Sequence, residues 1–320
     1  MMKQKSIIKQ KGFTLLELLV VITLLAILAV GGLVAYDGVT DNAEASAAAY
    51  NAGTLDRAVR QYRAVTSNYP DQWDNLADPT TGLPVGSADA SSAQSTDNDQ
   101  FLAVPTRAVF GAWNVAASAS AVQDTFFEVV DEVWGMEELQ HVEIANFDPS
   151  VAPGKMHNEG SLTGTETDFA AGAFNFISIV PSYAADGDAC TMGGQAINST
   201  FDGTSSSSLG LRMNAMNDAM GAERCHLVIA LGFGGDAASS TSRASVQIPA
   251  APTFTSEEVN PAQNYGRYIG LFHVARNGSG DGAALDETHF FPRPKLIGFV
   301  DTAGNPVDVN IAASRDPSDD

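Results

Sequence analysis

The sequence predicts an α+β fold: a long N-terminal helix packed on an antiparallel β-sheet head that carries additional helices and long loops. Three observations predict it. From Phe13 to Tyr36 run 24 residues in which Glu17 is the only charge. The helical pattern then continues, becoming amphipathic, to about Ser67. Beyond residue 142 the apolar residues regroup into short β-branched and aromatic runs separated by Gly, Ser, Pro and Asp.

At the helical rise the apolar run extends about 36 Å, enough to cross a hydrocarbon core of about 30 Å with some tilt. Lys3, Lys5, Lys9 and Lys11 precede it, and residues 1–12 contain no acid. The positive-inside rule keeps that end in the cytoplasm and sends the remainder across the membrane. A cleaved secretory signal has an apolar core of about 7–15 residues with its cleavage site after the core. Here the run is longer, and Gly12 lies before it. An uncleaved signal anchor would share the leader and the span but gives no reason for Glu17. A carboxylate inside such a run costs of order 3 kcal/mol on insertion scales, so it needs a partner or a purpose.

Gly12-Phe13-Thr14-Leu15-Leu16-Glu17, with the basic leader before it and the long apolar helix after it, resembles the prepilin cleavage and methylation motif of bacterial type IV pilins and type II secretion pseudopilins. The resemblance covers roughly the first 75 residues. It implies that a prepilin peptidase removes the leader 1–12 by cutting after Gly12 and methylates the new terminus, Phe13. It implies a helix over 13–67 with the membrane segment at 13–36, and an exported α+β head over 68–320. Glu17 is then the assembly residue, set to neutralise the Phe13 amine of an adjacent subunit. The expected protein is a structural subunit rather than an enzyme, without a resident cofactor. It would sit single-pass in the inner membrane with a periplasmic head. From there an inner-membrane assembly platform would polymerise it with other pilin-like subunits into a periplasmic or extracellular filament. Pilus and secretion pseudopilus both fit. The rival reading is a membrane-anchored periplasmic binding or catalytic domain on a borrowed pilin-like anchor. It predicts a convergent polar pocket in the head.

Charge narrows the partners. Without the four leader lysines, the 17 basic residues become 13 against 38 acidic ones, a formal charge of −25. So acidic a chain is a poor match for a phosphate backbone, which is held by clustered Lys and Arg, and no nucleic-acid partner is expected. Arg57, Arg60 and Arg63 form one basic helical patch, read as a solvated face or an inter-subunit contact. Cys190 and Cys225 are the only cysteines. Export to an oxidising compartment favours a bridge between them, with two free buried thiols as the alternative.

Along the chain, Leu55, Val59, Tyr62 and Val65 mark the buried stripe of the exported half-helix. Gly31-Gly32 is either a point of local melting or a point of close helix approach. Asn68-Tyr69-Pro70 ends the helix, since proline disfavours helical geometry in the residue before it. The stretch 62–76 resembles the helix-to-head junction of the pseudopilins. Residues 77–100 read as an exposed loop, 121–140 as a second helix, and 174–180 as a strand stopped by Pro181. A short helix is expected at 209–220, a central strand at 226–231, loop over 235–264 and a strand at 265–274. Residues 295–311 read as a hairpin about Ala303-Gly304-Asn305-Pro306, with Val307, Val309 and Ile311 alternating against polar neighbours. No internal repeat is present.

Catalytic signatures are lacking. The five histidines make no HExxH pair, and there is no CxxC, phosphate loop or GxSxG elbow. Gly232-Phe233-Gly234-Gly235 reads as a turn. Calcium is the one ligand to weigh: Asn277-Gly278-Ser279-Gly280-Asp281-Gly282 imitates the opening of a calcium loop. Position twelve, however, is Thr288, with Glu287 one residue early. Asp281, Asp286 and Glu287 are therefore candidate ligands, against a plain polar loop without metal.

Overall fold

The structure, a computed structural model, describes residues 14–85, 102–140, 166–168, 175–183, 189–203, 224–256, 258–261, 264–278 and 281–314, the isolated positions 170, 172 and 220, and for 34–41 the backbone alone. The predicted helix at 209–220 lies, apart from Met220, outside the described residues.

Helix α1 runs from Leu15 to Thr66, 52 residues and about 80 Å. It ends where the sequence says it should. Ser67 takes the left-handed conformation, φ 69°, and its N–H bonds back to the Arg63 carbonyl. Pro70 follows. Ala48, Ala52, Leu55 and Val59 form the buried stripe, while Val65 is 54% exposed and does not belong to it.

The head is built on an eight-stranded, predominantly antiparallel sheet. Its backbone order is β11 (Phe290–Val300), β9 (Ile269–Arg276), β8 (His226–Gly232), β1 (Trp73–Asn75), β3 (Glu138–Gln140) and β4 (Glu166–Asp168). Strand β5 (Phe176–Val180) shares β8's flank with β1 and pairs on its other side with β2 (Gly111–Asn114). Only β1 and β3 run parallel within this sheet. The junction on β8 is stitched by two polar side chains. Asn75 Nδ2 donates to the Phe176 carbonyl, its Oδ1 accepts from Ser178 N, and Ser178 Oγ donates to the Ala230 carbonyl.

Strand β8 shows why the head is large. All seven residues are buried. Leu227, Ile229 and Leu231 point into the cluster that holds the α1 stripe, with Phe272, Leu296 and Phe299. Val228 and Ala230 point the other way, into a second cluster with Leu76, Phe110, Phe201 and Tyr265. Period two along a strand means opposite faces, so the sheet is covered on both. Part of the expected loop at 77–100 does this covering: Ala77 and Val85 are buried, and 86–100 lie outside the described residues.

Three expectations are corrected. The second helix is α3 (Ser120–Phe127), continued by π-helical turns to Trp134 and ended by Gly135 at φ 69°; residues 138–140 are β3 instead. Helix α2 (Val104–Val109) precedes it. The loop expected over 235–264 begins with helix α4 (Gly235–Ser240) and a 3₁₀ turn to Arg243. The second arm of the expected hairpin is helix α5 (Val307–Ala313), packed against α1. Alternation misled here because the polar residue is the buried one. Asn310 turns inward to donate to Asp301 Oδ2, while Val309 and Ile311 face outward.

Candidate functional site

Thr14 opens α1 with extended backbone, φ −74° and ψ 150°. Its hydroxyl accepts from Glu17 N at 3.3 Å, and Glu17 Oε2 accepts from Thr14 N at 2.9 Å and Thr14 Oγ1 at 3.0 Å. This is a reciprocal capping box, which satisfies amide donors that a helix start leaves unpaired. The Thr-x-x-Glu spacing is the sequence signature of this cap. Its consequence is positional: the carboxylate folds back onto Thr14 at the helix start and does not lie along the apolar flank. Gly12 and Phe13 lie outside the described residues.

Beyond the cap, Leu15–Leu33 form one apolar span of 19 residues, mean hydropathy 2.6, with none of it buried. Thirteen large aliphatic side chains here are each at least 49% exposed. Burying a side chain of this kind stabilises by about 1.5–3 kcal/mol, so the set represents roughly 20–40 kcal/mol. That exceeds the net stability of a whole domain, about 5–15 kcal/mol. Water is therefore excluded as the resting environment of this surface.

The remaining candidates are structural in disposition. Cys190 and Cys225 are bridged, Cα to Cα 5.7 Å. The bridge ties the lead-in of β8 to a small three-stranded sheet of β6 (Thr191–Met192), β7 (Gln195–Ala196) and β10 (Ala284–Leu285). In the described part of the loop after β9, the side-chain oxygens of Asn277, Asp281 and Asp286 are engaged within the chain. Asn277, at its first position, is buried; its Oδ1 accepts from Cys225 N and its Nδ2 donates to the Gly282 carbonyl. Asp281 Oδ2 accepts from Gly278 N at 2.7 Å and lies 3.6 Å from His289 Nε2. Asp286 Oδ1 caps Thr288 N and Oγ1 and lies 2.8 Å from His289 Nδ1. Those Thr288 donors, with His289 adding, hold the Asp286 carboxyl below its ordinary range. Glu287 is exposed. An imidazole thus contacts two of the three carboxylates, whereas calcium asks for converging oxygens, and the donor set as arranged does not fit it. Among the described residues no group of three or more His, Cys, Asp or Glu is disposed to hold a metal ion.

Two polar features inside the head escaped the sequence. Asp74 Oδ2 accepts from the buried Tyr265 hydroxyl at 2.5 Å, and the pair lies against the Gly232-Phe233-Gly234 backbone. A Cβ at Gly232 would fall 1.7 Å from the Tyr265 oxygen, and one at Gly234 2.4 Å from Asp74 Oδ2. Close packing, beyond a turn, accounts for these glycines. The second feature is a buried pair of histidines, His226 Nδ1 and His273 Nε2, 3.0 Å apart. Burial, then His226, Arg276 and Lys295, push His273 down to about 3, so it is held neutral.

Residues 7–33 match the family described as the prokaryotic N-terminal methylation motif. No curated protein and no solved structure matches the chain. The matched motif marks precursors that prepilin peptidase processes and that assemble with other pilin-like subunits, a structural rather than catalytic class. With one apolar span of membrane length among the described residues, it fits a single-pass inner-membrane anchor. The capped, lipid-length helix and the match over it agree, and the chain carries the N-terminal signature of type IV pilins and pseudopilins.

Proposed function

We propose that the mature chain, cleaved after Gly12 and methylated on Phe13, is a structural subunit of a type IV pilus or type II secretion pseudopilus. It is stored in the inner membrane with its head in the periplasm. The carrying observation is the wholly unburied Leu15–Leu33 surface on the same helix that organises the head. Such a surface has two stable environments, lipid and other copies of itself, and assembly moves it from one to the other. In the membrane Glu17 lies near the cytoplasmic interface, where water limits its cost. In a filament core it needs a cation, and the Phe13 amine of a neighbour supplies one. Removing one member of a buried ion pair costs about 3–5 kcal/mol. Glu17→Leu should therefore insert and fold normally yet fail to assemble, read as filament or crosslinked-multimer yield at matched membrane levels. Assembly equal to the parent would sink the pairing and favour an anchored domain.

A further inference from the structure

In a chain this acidic, one cavity is lined by cations. Arg60, Arg63 and Arg293 surround a space of about 660 Å³ where α1 ends, with Ser67, Asn68 and Glu132 on its walls. Three arginines against Glu132 and the Asp56 that Arg60 holds leave a local excess of one positive charge, drawn from the 13 Lys and Arg of the chain beyond its leader. Two of the guanidiniums are pinned. Arg60 Nε holds Asp56 at 2.8 Å, and its Nη2 donates to the Leu296 and Ile297 carbonyls at 3.1 and 3.0 Å. Arg63 stacks 4.5 Å from the centroid of the Tyr69 ring and donates to its hydroxyl. Arg293 is exposed. Fixed guanidinium groups lose little freedom on meeting a carboxylate, and the donors that Arg60 and Arg63 have not already spent, with those of Arg293, are what the cavity offers it.

We infer that this cavity receives a carboxylate-bearing segment of a second copy of the chain, an inference that rests on the assembly reading above. The chain itself supplies the carboxylates. Between Arg107 and Lys155 there is no Lys or Arg and there are eight acids, of which Asp124, Glu128 and Asp131 are exposed on the helix 120–134. Copies of formal charge −25 repel at close range, so heads brought together need cationic contact points. Lipid headgroups of the chain's own membrane are out of reach. Arg60 lies 27 residues beyond Leu33, roughly 40 Å along the helix, against a screening length of about 8 Å.

The test is the full chain in membranes under assembly conditions, with Arg293→Lys to place an amine in the cavity and a zero-length carbodiimide to join it to any facing carboxylate. The expected product is a multimer whose peptide map links residue 293 to an Asp or Glu of another copy, with a yield that falls as salt is raised. Arg293→Glu should lower multimer recovery at least about tenfold with the head's melting temperature unchanged. Linkage only to Glu132 of the same chain would overturn the inference. So would protection of the amine by inorganic phosphate without any intermolecular product. If multimers held through α1 persist and residue 293 stays unlinked, this contact alone is wrong. If the parent forms no multimers either, the assembly reading fails with it.

Discussion

The two halves of α1 are one continuous helix in two solvents. Over Leu15–Leu33 the side chains are aliphatic on all sides and none is buried within the chain. Over Ala48–Val59 the apolar residues shrink to a stripe of Ala48, Ala52, Leu55 and Val59. A helix apolar all round is satisfied only by lipid or by other helices; an amphipathic one is satisfied by its own head. The first half is thus left for the membrane or for neighbours, and the second is already spent on folding. Substitutions should divide along the same line, head stability responding only to the second half and the sheet beneath it.

The sharpest separation should come from Trp73. It is fully buried beneath α1, with its ring 5.0 Å from Phe233 and 5.1 Å from Phe272. Trp73→Ala should destabilise the head by about 3–5 kcal/mol in urea unfolding, with membrane insertion unchanged. Loss of insertion as well would show that the halves are not independent. Next is the bridge. Replacing both Cys190 and Cys225 with Ser should cost up to about 4 kcal/mol, the chain-entropy value for a loop of this size. Non-reducing peptide mapping of the parent should show one bridge and no alkylatable thiol.

Acid should weaken the head more gently. The folded pKa of His273 is about 3, below an unfolded value of about 6.5. The unfolded chain therefore takes the proton first. The stability it contributes is complete above about pH 6.5 and is lost as pH falls toward 3, at up to about 1.4 kcal/mol per unit. Unfolding free energies from urea titrations at pH 7 and pH 5 should differ by about 2 kcal/mol, and His273→Gln should flatten that difference. The smallest effects should differ in sign. A Cβ at Gly32 meets nothing within 4 Å, whereas one at Gly234 meets buried Asp74 at 2.4 Å. Gly32→Ala should stiffen its stretch of helix by about 1 kcal/mol, read as slower amide exchange. Gly234→Ala should destabilise the head by about 1–3 kcal/mol. The same sign at both positions would erase the contrast.

What could be read ahead of the structure follows how local each signal is. The extent of α1 was legible because apolar periodicity, Ser67-Asn68 and Pro70 all act on neighbouring residues. Strand β8 was legible because a run apolar on every residue has few other uses. Helix α5 was not: Val307, Val309 and Ile311 suit a strand on pattern alone, and only Asp301, brought near by the turn, makes burial of Asn310 favourable. Strand β3 likewise exists because β1 is there to pair with it. The cap joining Thr14 to Glu17 was local and readable. The cationic cavity joins residues more than 200 positions apart, Arg60 and Arg293, and no spacing rule reaches that far.

Strand β1 has a mechanical consequence. It is only three residues long, follows α1 after a short turn, and is no edge strand: β8 hydrogen-bonds along one side and β3 along the other. Tension drawn along α1 enters the head at Tyr69 and reaches β1 next. There is no outer strand for that pull to strip away rung by rung. The load is divided at once between two ladders, with the Trp73 ring wedged beneath them, and the head resists traction on its stalk from the middle of its sheet.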